Sequence, residues 1–145
     1  MENIIYFIGL DIDSRSVQIA VIDSKENLYL NKKVKGIDLL SFIENEILKK
    51  FSQENTLVLM ESTSSSYHLY PTFTFQKYGY LTKVINPVLI KKFSEFKSIR
   101  RKKTDKNDAK TIAEFALKEL YPLLKRENIY LFTPNVNPLK FLSRN

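Results

Sequence analysis

Ile4-Ile5-Tyr6-Phe7-Ile8-Gly9-Leu10-Asp11 is an apolar run that stops on a carboxylate. β-Branched and aromatic residues at this density predict a buried strand, with Asp11 at its end. Residues 16–23, Ser-Val-Gln-Ile-Ala-Val-Ile-Asp, alternate in polarity and predict a second strand. The link Ile12-Asp13-Ser14-Arg15 is too short for a helical crossover. The two strands therefore form an antiparallel hairpin, with Asp13 as a turn residue. A polar turn, Ser24-Lys25-Glu26-Asn27, leads to a third and weaker strand over 27–34.

Beyond this meander the periodicity changes. Leu39, Leu40, Phe42, Ile43, Ile47, Leu48 and Phe51 recur at helical spacing through residues 37–52, with Asp38 placed to cap. Residues 56–61, Thr-Leu-Val-Leu-Met-Glu, predict a fourth strand that also ends on a carboxylate, Glu61. Aromatics at mixed spacing over 67–78 predict a helix that tolerates Pro71 only in its first turn and stops at Gly79. A fifth strand over 80–85 ends at Asn86-Pro87, and Pro87 opens a helix over 88–97. A last strong helix spans 104–120, with Thr104 or Asp105 as its cap and Ile112, Ala113, Phe115, Ala116 and Leu120 on its apolar face. Pro122, Pro134 and Pro138 then punctuate the tail. We divide the chain into a domain over 1–120 and a tail over 121–145 that ends as the start of a helical connector. Three hairpin-linked strands followed by alternating helices and strands make an α/β fold of the ribonuclease H-like kind. It is a mixed five-stranded sheet with flanking helices.

Composition limits the chemistry. The 145 residues hold no cysteine and one histidine, His68, which reads as a surface or loop residue. Thiolate zinc sites, disulfide scaffolds and cysteine nucleophiles are excluded, and a catalytic metal would be oxygen-ligated Mg²⁺ or Mn²⁺. The net charge is +7, and residues 88–110 carry seven Lys and two Arg against Glu95, Asp105 and Asp108. Nearly all the excess charge is thus in one segment, which points to a polyanion such as nucleic acid. No run is apolar enough to span a bilayer and no signal peptide opens the chain, so the expected place is the cytoplasm, beside the nucleoid of a prokaryote.

Four acids stand out by position. In this fold the first and fourth strands are neighbours, which brings Asp11 and Glu61 to one edge. Asp105 and Asp108, three residues apart near a helix start, share a helix face within Lys102-Lys103-Thr104-Asp105-Lys106-Asn107-Asp108-Ala109. Singly, each has an ordinary explanation: a strand-end acid, a loop start, two helix caps. Together, four carboxylates without histidine suit a pair of Mg²⁺ ions acting on a phosphodiester. Lys97, Arg100, Arg101, Lys102, Lys103 and Lys106 beside them are expected to contact phosphate.

Gly9-Leu10-Asp11-Ile12, Glu61-Ser62-Thr63, Asn86-Pro87 and Lys103-Thr104-Asp105-Lys106-Asn107-Asp108-Ala109 resemble the DEDD transposases of the IS-one-ten insertion-sequence family. The resemblance covers about residues 5–120. The Lys-Thr-Asp-x-x-Asp-Ala stretch is its most specific motif. It differs in placing Ser64-Ser65-Ser66 where the family has a glycine after Glu-x-Thr. The resemblance implies a RuvC-like domain that binds Mg²⁺ through Asp11, Glu61, Asp105 and Asp108. It also implies DNA cleavage and exchange in transposition, a structured guide (bridge) RNA as partner, and a homo-oligomer for the full-length protein. Family members continue into a second domain with a catalytic serine, so the expectation is that these 145 residues do not transpose alone. Two other readings use the same residues: a stand-alone RuvC-like nuclease or junction resolvase, and a non-catalytic nucleic-acid-binding remnant. A sugar kinase of the actin-like kind also opens with Gly-x-Asp, but three glycines in the whole chain do not supply its phosphate loops.

Overall fold

The computed structural model describes residues 3–100 and 108–127. Strands β1 (Tyr6–Ile12), β2 (Ser16–Asp23), β3 (Leu28–Lys35), β4 (Thr56–Glu61) and β5 (Leu81–Ile85) form one sheet in the order β3-β2-β1-β4-β5. The β1–β2 and β2–β3 pairs are antiparallel, whereas β1–β4 and β4–β5 are parallel. Hairpins make the first set and helical crossovers the second, as chain connectivity requires. This is the expected ribonuclease H-like sheet.

Helices cover both faces. We number them α1 (residues 39–50), α2 (Leu69–Lys77), α3 (Pro87–Arg100) and α4 (residues 108–127). Even-numbered residues of β1 and β4, Ile8, Leu10, Val58 and Met60, pack with Leu39, Ile43 and Ile47 of α1 and Phe75 of α2. Odd-numbered residues, Phe7, Leu57 and Leu59, pack with Ile90 of α3 and Ile112, Ala113 and Ala116 of α4. The period of two along each strand thus decides which helix pair each residue meets.

Local details explain the boundaries. In the β2–β3 turn the Asp23 carboxylate accepts from the backbone N–H groups of Lys25 and Asn27, the Asn27 amide and the Tyr29 hydroxyl. Burial pushes this carboxyl up, but those hydrogen bonds outweigh it and hold it down at about 2. Asp38 stands at the N-terminus of α1, yet its side chain makes no capping bond. In α2 the buried hydroxyls of Thr72 and Thr74 donate to the His68 and Tyr70 carbonyls, so a poorly patterned helix buries two threonines without orphaned polar groups. Gly79 ends it with φ of 90°, a conformation costly for other residues.

Two helices run past their expected ends. α3 extends to Arg100 rather than residue 97. α4 passes Pro122 and continues to Glu127 rather than stopping at residue 120. Tertiary contacts offset the proline penalty there. The Tyr121 hydroxyl accepts from the Ile4 N–H at 3.0 Å, its ring packs 5.6 Å from that of Phe7, and Leu124 is buried. A π turn over Ala116–Leu120 precedes Pro122, and such widened turns are where helices absorb irregularity. The expected cap residues Thr104 and Asp105 lie outside the described residues.

Candidate active site

The site is built from strand ends and one helix start. β1 and β4 run parallel in register up to Leu10 opposite Met60, so Asp11 and Glu61 emerge as the next residues of adjacent strands. Their odd numbering points both side chains to the face covered by α3 and α4. α4 begins at Asp108 above that edge.

What brings α4 so low is Gly9. A Cβ on Gly9 would overlap the Ala109 carbonyl oxygen and reach 2.5 Å from the Ala113 nitrogen. Only a residue without a side chain lets the helix backbone lie directly on β1. Gly9-Leu10-Asp11 and Asp108-Ala109 are therefore two halves of one packing contact. The glycine seats the alanine, and the flanking aspartates face each other across it.

The electrostatics follow. Burial pushes the Asp11 carboxyl up, the charges of Asp108 and Asp13 push it further, and Lys33 pulls it back. Burial, Asp11 and Asp108 together push Glu61 up to about 6. Three carboxylates in mutual repulsion at one half-buried edge are unfavourable without a counter-charge. Between β4, α3 and α4 a cleft of about 400 Å³ is lined by Glu61, Asp108, Glu95, Lys91 and Thr111.

The donor chemistry, all carboxylate, fits a hard divalent cation. Among the described residues, however, no group of three or more acidic or imidazole side chains closes to ion-holding distance. Asp105 lies outside the described residues. Of the expected phosphate contacts, Arg101, Lys102, Lys103 and Lys106 also lie outside them, and Lys97 and Arg100 belong to the last four residues of α3.

The segment after Glu61 is organised by its own side chains. The Ser62 N–H donates to the Ile85 carbonyl at 2.9 Å and so prolongs the β4–β5 pairing. The Thr63 N–H donates to His68 Nδ1 at 2.9 Å, and the Thr63 hydroxyl accepts from the Tyr67 N–H at 2.7 Å. His68 is therefore a loop-facing residue with a structural role. Ser66, within the Ser64-Ser65-Ser66 stretch, takes φ of 63°.

Sequence reasoning did not single out several residues near these carboxylates. Lys91 and Glu95 were hidden in a charged helix. Lys33 sits on an edge strand, two strands from Asp11 through Gln18. Lys83 is half-buried on the site face of β5, and burial pushes its ammonium group down. A lysine inside the apolar Leu-Thr-Lys-Val-Ile strand was the available signal.

No helix among the described residues is long and apolar enough to cross a membrane. A search of curated proteins found no match. The family model of the DEDD transposases of IS110, described as Transposase, matches residues 8–131. That span includes β1 from Ile8 onward, the other four strands, the described helices and the three described carboxylates, and the chain belongs to this transposase family.

Proposed function

We propose that this domain provides the carboxylate centre for DNA strand cleavage and exchange in insertion-sequence transposition. The observation that carries it is that β1 and β4 run parallel into Asp11 and Glu61 while Gly9 seats the helix that starts at Asp108. Asp11, Glu61, Asp108 and, by the family resemblance, Asp105 would hold Mg²⁺ or Mn²⁺. When bound, such an ion stabilises charge on the oxygens of a phosphodiester undergoing displacement. The protein's own contribution is to bring the acids to one sheet edge on rigid elements. Gly9 seats α4, the β1–β4 pairing aligns Asp11 with Glu61, and Thr63 and His68 shape the segment beyond.

Lys97, Arg100, Arg101, Lys102, Lys103 and Lys106 lead the chain into Asp108 and supply phosphate affinity in this reading. A bridge RNA, a homo-oligomer and a serine-bearing second domain are further parts of the proposal, and they rest on the family alone. The division into a domain over 1–120 and a tail over 121–145 is likewise a proposal, made from the sequence, and α4 runs across that boundary to Glu127.

The test is thermal unfolding of the 145-residue protein with and without millimolar Mg²⁺ or Mn²⁺, beside the Asp11→Asn variant. Stabilisation of the unaltered protein and none of the variant is expected. An unchanged melting temperature in both would overturn the metal assignment. Mg²⁺-dependent cleavage of branched DNA by this chain alone would shift the reading to a stand-alone nuclease.

A further inference from the structure

A second groove lies beside the carboxylates and differs from them in character. It opens where the β1–β2 turn meets the end of β3, with α2 as its other wall. Its volume is about 810 Å³, and Arg15, Lys33, Lys35, Ile37 and Tyr70 line it with Ser14 and Ser16. None of the lining residues is acidic. Asp13 is adjacent, but its carboxylate accepts from the Ser14 N–H at 2.8 Å. Asp38 lines the neighbouring groove on the other side of Lys35. Two apolar side chains stand open to solvent here: Ile37 at 89 % and Tyr70 at 52 % exposure. Among the described residues, Arg15, Lys33 and Lys35 make no salt bridge at close range, and they surround an exposed aromatic ring.

We infer that this groove holds a single-stranded stretch of DNA, with Arg15, Lys33 and Lys35 on its phosphates and a base stacked on Tyr70. A free phosphate would leave the apolar floor unused. A duplex hides its base faces, whereas a single strand offers a charged backbone and flat apolar rings together. The position supports DNA as the strand. Lys33 and Asp11 both pair with Gln18 of β2, so they lie two strand spacings apart, on the order of 10 Å. The charge of Lys33 acts on Asp11 across that gap. A strand seated in the groove therefore ends next to the carboxylates. The inference takes its substrate from the transposase reading but does not require a metal.

The experiment is fluorescence anisotropy with oligodeoxynucleotides in EDTA, as single strand and as duplex, over a salt series, with the single-stranded RNA of the same sequence in parallel. Tyr70→Leu should weaken single-stranded DNA binding about tenfold and leave the salt slope unchanged, and Tyr70→Phe should restore it. Lys33→Gln with Lys35→Gln should lower the slope of log affinity against log salt by about 1.4. All these side chains are exposed, and matching melting temperatures verify folding. All binding is measured in EDTA, without metal, so failure of the metal assignment leaves this result standing. Equal binding by Tyr70→Leu and the unaltered protein would overturn the inference. So would equal loss on duplex, tighter binding of the RNA, or displacement of the DNA by equimolar polyglutamate.

Discussion

Gly9 and Ala109 are in direct backbone contact, and the carbonyl of Ala109 occupies the space where a Gly9 Cβ would stand. One is in the middle of β1, the other at the start of α4. Their contact determines how close Asp108 comes to Asp11.

Gly9→Ala should therefore damage both stability and the site. Overpacking of a close contact costs about 1–3 kcal/mol, and this overlap is with backbone that cannot rotate away. Chemical denaturation should place the loss at the upper end of that range. Any folded fraction should also show a weaker melting-temperature response to Mg²⁺, because lifting α4 moves Asp108.

The raised Glu61 carboxyl sets a pH dependence. Its native value of about 6 lies above the ordinary 4.5, so between those values the folded state retains a proton that the unfolded chain has released. Metal-free stability should fall as pH rises through this window and remain lower above it. Denaturant midpoints from pH 4 to 7.5 read this directly, and Glu61→Gln should flatten the decline. Mg²⁺ should stabilise most above about pH 6, where Glu61 is ionised.

Asp11→Asn removes a charge that acts on Glu61. The metal-free variant should melt higher than the unaltered protein at pH 7, by roughly 2–4 °C for each kcal/mol of repulsion relieved. A variant that lowers the melting temperature would mean that Asp11 is structural.

His68 accepts the Thr63 N–H just beyond Glu61. His68→Ala should cost about 1 kcal/mol and speed hydrogen exchange at the Thr63 amide. His68→Asn, whose side-chain oxygen reaches a similar position, should recover part of the protection.

Tyr80 serves as a control remote from the carboxylates. Its buried hydroxyl donates to the Phe51 carbonyl at 2.6 Å, and burial pushes its pKa up to about 12. Tyr80→Phe leaves that carbonyl without its partner and should cost about 1–3 kcal/mol, with the Mg²⁺ response and DNA binding unchanged.

The amino-acid sequence by itself determined the strands, their order and the edge on which Asp11 and Glu61 stand. Those follow from local pattern: period two over 16–23, an apolar run over 56–61, and links whose length admits only a hairpin or a crossover. Helix ends were less legible. Pro122 reads locally as a stop, but a hydrogen bond from Ile4 to Tyr121, 117 residues apart, holds the helix through it. The groove of Arg15, Lys33 and Tyr70 was not legible either, since its residues come from three separated segments. The role of Gly9 was likewise a tertiary matter. A glycine in a strand is by pattern only a weak position. It becomes the seat of α4 because two backbones come closer than any side chain permits.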